Sequence, residues 1–461
     1  MLTPEQWLTR LGGQLQARWP RLERWQRYYD GHQDLPSGPS QHAEAFIQFQ
    51  KKARTNLCGL SVDSMVDRTY AEGIRTSSKA LDARVWSWWQ GARLDARQAA
   101  VYRTALSQSA AYVIWGPGKT PERPRVTVES PTNVITETDP ADSSLTLAGL
   151  RCWYDPFERR WLATVYVPGG RYYSQHRATS DPKVLLQGMF DANRWETRRE
   201  ADRAPETVPI RAFLNADELS EPTAEFDRAM DVQDRLNLTV LNRLTAERYA
   251  SFRQRWAVNV ALEDDPVTGL PLSPFKPGIT QTWIVEPGEP GDPEPKFGDF
   301  AQTDTTQMLR GAEADMRLFA AITRTPLYYM PGDMINIGAD AIAALDAGHN
   351  AKCRQRQSVW GEDWEAVIAG IGELAGVKDD LFDAEMIWRR PENFSPSQIA
   401  DYGSKLRGMG YPLAIVAERI GDSPQQIARL RAEQAAEAAR ARFLAPDAAP
   451  SATGATPAAP Q

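Results

Sequence analysis

The sequence predicts an α+β fold, mainly helical, and three observations carry that reading. Apolar residues recur at helical spacing through both ends of the chain. Residues 111–215 break into short β-branched and aromatic runs. Two helical stretches, near 221–256 and 339–374, run far beyond the globular mean of about 11–12 residues. At 461 residues there is room for roughly two to four domains, so core burial is no obstacle. Hydrophobic residues at 42% and charged residues at 25% are ordinary usage, and a mean hydropathy of −0.49 without a long apolar run predicts no membrane span. MLTPEQWLTRLGG at the N-terminus has no basic stretch leading into an apolar one. No signal peptide is therefore expected, and the protein is expected to stay in the cytoplasm of the cell that makes it.

Taken in order, Trp7, Leu8, Leu11 and Leu15, then Leu22, Trp25, Tyr28 and Tyr29, mark a helical N-terminus that Asp30-Gly31 breaks. After the loop 33–41 a second helical stretch runs from Ala43 through Val62, Met65 and Val66 and ends near Gly73. From Ser78 to Tyr112 the pattern stays helical, with Trp86, Trp88 and Trp89 clustered. AYVIW (111–115), RVTVE (125–129), GLRCWY (149–154), WLATVYVPGGRYYS (161–174) and VPIRAF (208–213) are strand candidates separated by Gly, Pro and Asp. Ser220, with Pro222 in the first turn, opens a long helix to about Arg255, with Phe226, Met230, Leu236, Val240, Leu241 and Leu244 on its apolar side.

Residues 262–300 are dense in Pro and Gly, a small excursion for which WAVNVAL and TWIVE supply strand candidates. The helix from about Thr305 to Ile322 carries Met308, Ala312, Met316, Phe319 and Ile322 on one face, while Arg310, Arg317 and Arg324 recur every seventh residue along another. TRTPLYYMPGDMINIG (323–338), with two prolines and two glycines, is a loop between helices. Ala339 to about Leu374 is a long helix with Ile342, Leu345, Trp360, Trp364, Val367, Ile368 and Ile371 at helical spacing and a kink expected at Gly348. Shorter helices open at Ser395-Pro396, Pro412 and Ser423-Pro424, and the Ala/Pro/Ser-rich residues 444–461 read as a disordered tail.

No residue pattern carries catalysis, a metal or a cofactor, so none of these is expected. Cys58, Cys152 and Cys353 lie far apart without metal-ligand or disulfide spacing, and His32, His42, His176 and His349 are scattered. Gly118-Lys119-Thr120 resembles the end of a phosphate-binding loop, but Val113 stands where the first glycine belongs and PERPR follows where a helix should begin. Asp264-Asp265 and Asp379-Asp380 lack histidine partners and read as solvated surface. Trp88 and Trp364 fall in helical patterns, which favours core or subunit-interface packing over base stacking. The net charge of −7 argues against a firm grip on phosphates and leaves weak, sliding contact with DNA open. Arg310, Arg317 and Arg324 keep two readings, a solvated or inter-subunit salt-bridge stripe and a channel-facing phosphate contact.

The ordered series YYDGHQDLP (28–36), NLCGLSVDSMVDRTYAEGI (56–74), SAAYVIW (109–115), PIRAFLN (209–215), MDVQDRLNLTVLNRL (230–244), FAQTDTTQMLRG (300–311), TRTPLYYM (323–330), NAKCRQRQSVWGEDWEAVI (350–368) and WRRPENFSPSQIADYGSKLRGMGYP (388–412) resembles the portal proteins of tailed bacteriophages. The likeness is to the branch found in siphoviruses of actinobacteria, and it covers about residues 20–435. One departure is conservative: Gly338-Ala339-Asp340-Ala341 stands where the family usually has Ser-Ala-Glu-Ala.

The resemblance implies a non-enzymatic subunit of a dodecameric ring at one capsid vertex, a virion component assembled in the host bacterial cytoplasm. It implies a wing at 1–220, stem helices at 221–256 and 302–324, a clip at 257–301, and a channel loop at 325–338. A long kinked helix at 339–375, a helical crown at 376–443 and the tail at 444–461 complete the series. Met330, Pro331, Asp333, Met334, Ile335 and Asn336 become the DNA-facing loop residues, and Lys276 and Lys296 the clip cations facing terminase. The implied partners are duplex DNA, the terminase large subunit, major capsid and scaffold proteins and a head-tail adaptor. Two other classes stay open, a head-tail adaptor or other capsid protein and a phage-encoded nucleic-acid-modifying enzyme. Adaptors are usually much shorter, and an enzyme needs a catalytic set that the tail is too short to hold.

Overall fold

The structure is a computed structural model describing residues 2–36, 44–120, 123–178, 188–200, 205–217, 219–251, 255–259, 293–294, 296–299, 304–330, 339–377, 381, 383–392 and 394–444. Its first helix, α1 (Pro4–Tyr29), starts with a capping box in which Thr3 and Gln6 satisfy each other's free backbone N–H groups. It serves two cores. Trp7, Leu8, Leu11 and Leu15 pack with Ile135, Leu150 and Val165 of a β-sheet, whereas Leu22, Trp25 and Tyr28 enter the central core. Pro20, which cannot donate a backbone hydrogen bond, falls between the two halves.

Helices α2 (Glu44–Lys52), α3 (Leu57–Val66), α4 (Lys79–Gly91) and α5 (Leu94–Gln108) follow, with strand β1 (Ala71–Arg75) between α3 and α4. Strands β2 (Ala110–Gly116), β3 (Arg125–Glu129) and β9 (Ile210–Leu214) form an antiparallel sheet in the order β3-β2-β9. Strands β4 (Val134–Thr138), β5 (Thr146–Asp155), β6 (Arg160–Val167), β7 (Gly170–His176) and β8 (Trp195–Glu200) form a five-stranded antiparallel meander. One face of the meander packs on α1, and the other meets β2 and β9 through Tyr112, Ile114, Tyr166 and Ile210. β4, β8 and β1 were not anticipated. VITET and WETRRE are short and half polar, and β1 is completed only by β12 (Glu385–Trp388), more than 300 residues away in sequence.

The helix expected to open at Ser220 begins instead at Met230, as α6 (Met230–Ser251), after a single turn at Asp227–Ala229. Residues 223–225 are held out of the helix because the Asn215 amide donates to the Thr223 carbonyl (2.9 Å) and the Glu225 N–H donates to Leu106 (2.8 Å). α6 caps α3 from a distance: Gln233 accepts from the Leu57 N–H (3.1 Å), a group that α3 cannot satisfy internally, and Asn237 accepts from the Thr55 N–H (2.9 Å) just before the helix. β10 (Arg255–Val258) and β11 (Lys296–Asp299) make a two-stranded ribbon. TWIVE and both acidic pairs lie outside the described residues.

α7 (Thr306–Thr323) packs against α6, tied by Arg235 to Asp315 (2.6 Å). α8 (Ala339–Leu374) is continuous over 36 residues, about 54 Å at 1.5 Å per residue. Its Trp360, Trp364, Val367, Ile368 and Ile371 fill the central core. The indole N–H of Trp364 donates to the Tyr102 hydroxyl (2.9 Å), that of Trp360 donates to the Leu214 carbonyl (3.0 Å), and Tyr102 stacks on Trp360 at 4.9 Å. The residues expected on the apolar faces are not all enclosed: Ile322 is 39% exposed and Leu345 51%. α9 (Pro396–Gly408), α10 (Leu413–Ile420) and α11 (Pro424–Leu444) close the chain, with Ser395 and Gln398 forming a second capping box.

Candidate functional site

The expected channel loop leaves from the end of α7 and returns at the start of α8. Residues 331–338 lie outside the described residues, and with them Pro331, Asp333, Met334, Ile335 and Asn336. What the structure defines is their mount. α7 ends at Thr323, Arg324 takes the left-handed conformation (φ 52°), and Leu327–Tyr329 form one tight turn. Four bonds from Arg68, just beyond α3, gather both sides of the loop. Its guanidinium donates to the hydroxyls of Tyr328 (2.7 Å) and Tyr329 (3.2 Å) before the loop, and to Asp346 (3.1 Å) and Asn350 (2.7 Å) after it. The Tyr328 hydroxyl also donates to Asp346 at 2.8 Å.

The Arg68 and Asp346 side chains are only 5% and 6% exposed. Burial works against the Arg68 charge, but the bonds and charges of Tyr329, Tyr328 and Asp346 outweigh it and raise the guanidinium's pKa. Desolvation first, and then the bond to Asp346, likewise push the Tyr328 hydroxyl far up, so Tyr328 is a fixed donor.

Next to this cluster the buried His349 lies between two carbonyls, Nδ1 3.0 Å from Arg324 and Nε2 3.3 Å from Ser64. A neutral imidazole has one N–H and serves one of them at a time. Burial, with the charges of Lys352 and Arg68, holds its pKa below the usual value even though both carbonyls favour the proton. Lys352 reaches the Thr323 carbonyl and pairs with Glu225, and Gln357 donates to the carbonyls of Arg68 (3.2 Å) and Arg389 (2.9 Å). α3, the end of α7, the 327–329 turn and α8 are thus one polar assembly set in an apolar core.

Met330, expected among the loop residues facing DNA, has a side chain that is 5% exposed and packs in the central core. The arginine series is also altered. Arg310 and Arg317 lie exposed on one face of α7, Arg317 beside Glu313 at 3.5 Å, but Arg324 caps the helix in a left-handed turn and leaves the seven-residue repeat. Lys296 is exposed on β11, and Lys276 lies outside the described residues. Arg68, Tyr328, Asp346 and His349 were not singled out from the sequence. Of these, only Asp346 and His349 carried a signal, a charge and an imidazole at positions of α8 that helical periodicity assigns to the core.

The three cysteines are buried and unpaired, and among the described residues no group of three or more His, Cys, Asp or Glu side chains could hold a metal ion. No described helix is long and apolar enough to cross a membrane. A family model, phage portal protein, SPP1 Gp6-like, matches residues 10–440. The chain belongs to that family. It is a portal protein, the protein of a phage capsid vertex. No curated protein matches its sequence. Among solved structures, a chain of the virion of a native gene transfer agent particle is 12% identical with a TM-score of 0.43, the alignment covering 84% of this chain and 96% of the other. A chain of the neck of an empty particle of the same kind is 10% identical with a TM-score of 0.41, covering 82% and 90%.

Proposed function

We infer that this portal protein closes into a ring, dodecameric in the capsid, and that duplex DNA enters and leaves through its centre. The observation that carries this reading is the family match over nearly the whole chain, from residue 10 to 440. The polar mount around Arg68 supports placing residues 331–338 at the channel, because a segment meeting moving DNA needs rigid ends. In this reading α6 and α7 are the stem, the β10–β11 ribbon with Lys296 belongs to the clip where the terminase large subunit docks, and α9–α11 belong to the crown. The head-tail adaptor and the capsid and scaffold proteins are the remaining partners. The energy for packaging comes from the terminase, and this chain acts as conduit rather than enzyme. An acidic protein suits a conduit, since every neutralised phosphate would add to the hold on a sliding duplex.

The test removes residues 331–337 and leaves Met330 in the core. Rings should still form by native mass spectrometry while the yield of packaged, nuclease-protected DNA falls. Normal packaging would remove the loop from the channel. Arg317→Glu decides the stripe: unchanged packaging assigns Arg317 to its pair with Glu313, and a loss assigns it to the pore.

A further inference from the structure

Arg171 on β7 is 6% exposed and has neither a hydrogen bond nor an ion pair among the described residues. Its guanidinium lies over the Tyr166 ring at 5.2 Å. Nε is enclosed without a partner. A buried cation without a counter-charge is costly, and proteins avoid the arrangement unless something completes it.

The strand registers show what surrounds those nitrogens. Tyr166 and Arg171 are directly paired across β6 and β7, so they share a face, and Arg151 with Thr164 forms the next row of that face. The opposing sheet presents Gly116, whose added Cβ would lie 3.4 Å from an Arg171 Nη. Gly116 is paired with Arg125, so the Arg125 side chain leaves on the same face, toward Arg171. Arg151 pairs with Glu129 at 2.8 Å, and Arg125 is exposed and unpaired among the described residues. Burial raises the Tyr166 hydroxyl's pKa, and the charges of Arg171, Arg151 and Arg125 act against that rise. Among the described residues, three guanidinium groups face one carboxylate at the rim between the sheets, a surplus of two positive charges. Exposed Lys119 sits on the β2–β3 connection that leaves this rim.

We propose that the rim between the two sheets, with Arg171 at its base and Arg125 and Arg151 at its sides, is a binding site for a phosphate oxyanion. A planar guanidinium fork without a hydrogen-bond partner suits bidentate contact with an oxyanion. A doubly charged phosphate matches the surplus, where a single carboxylate would leave half of it. At Gly116 even a Cβ would come within 3.4 Å of an Arg171 Nη, so a larger side chain there would crowd the guanidinium. The site is separate from the channel-loop mount and does not depend on the ring reading.

The test is isothermal titration of the full chain with sodium phosphate at neutral pH and fixed ionic strength, with chloride as control. Fluorescence anisotropy with a short labelled duplex separates free phosphate from the phosphates of DNA. Wild type should bind in one of the two assays, and Arg171→Met should abolish that response. Arg171→Met should also unfold at a higher temperature than wild type in phosphate-free buffer, since it replaces an unpaired buried charge by an apolar chain. Exposed Arg125→Ala, which leaves the fold untouched, should weaken the same response about tenfold, the loss of one charge-assisted contact. Binding to neither probe, or binding that Arg125→Ala and Arg171→Met leave unchanged, overturns the proposal.

Discussion

Arg68→Met removes the cation that joins the two sides of the loop mount. Met spans much of the same length, so the chief loss is the four bonds to Tyr328, Tyr329, Asp346 and Asn350 and the counter-charge of Asp346. Both members of the pair are about 95% enclosed, so water cannot replace the lost partner. Removing one member of such a pair costs about 3–5 kcal/mol, far above the ~0–1 kcal/mol of an exposed pair. Because Asp346 carries most of the residual cost, Arg68→Met with Asp346→Leu should return at least about 2 kcal/mol of it. The assay is native-state amide exchange read over residues 320–330 and 344–357, which reports the local opening energy without assuming that a chain of this size unfolds in one step. Protection changed by less than about 1 kcal/mol in the single variant, or a double variant as weak as the two losses added, would refute the argument.

Further outcomes follow from other contacts. Gly370→Ala should destabilise by about 1–3 kcal/mol in thermal unfolding, because the new Cβ would stand 2.4 Å from the Trp115 ring; an unchanged midpoint would mean that ring moves freely. Ser395→Ala should cost about 1 kcal/mol and loosen exchange at the first turn of α9, whose capping box it breaks. His349 has a folded pKa below its unfolded value of 6.5, so the unfolded chain binds the extra proton and stability falls as pH drops from 6.5 through the folded pKa; His349→Gln should remove that acid-side loss from a stability–pH profile. Asp363, pushed up to about 6 chiefly by burial and only partly held back by Arg211, has the opposite sign. Its raised pKa favours the folded state fully below the unfolded value of 3.8, and that contribution is lost as pH rises from there through about 6, a slope that Asp363→Asn should flatten.

Periodic apolar residues made the helices legible. The buried set of α1 follows its spacing except at Tyr29, which is only half-buried, and α8 spans the expected residues because a long apolar stripe and flanking loops leave few alternatives. Helix starts marked by Ser-Pro were equally plain at α9 and α11, while the same signal at Ser220 misled. There the backbone donors and acceptors went to Asn215 and Leu106, contacts that no local pattern encodes. β1 and β12 were illegible for a related reason, since each strand exists only by pairing with the other. The conduit reading came from the ordered resemblance, and the mount beneath the loop could not, because Arg68 looks like an ordinary surface charge until the fold encloses it.

The two cores of α1 and the reach of α8 bear on how this protein can be made and cut. Trp25 bonds Asp227 and Tyr28 bonds Asp234, Arg68 waits for residues 328–350, and β1 waits for β12. Contacts this distant in sequence close late, and on a ribosome the N-terminal half emerges long before its partners do. The helices and sheets before residue 220 are therefore not a unit of folding apart from α6, α7 and α8. A fragment ending near residue 220 would lack α8 and leave Trp89, Tyr102 and Phe213 facing water, so dissection by truncation should give aggregates where point substitution gives soluble protein.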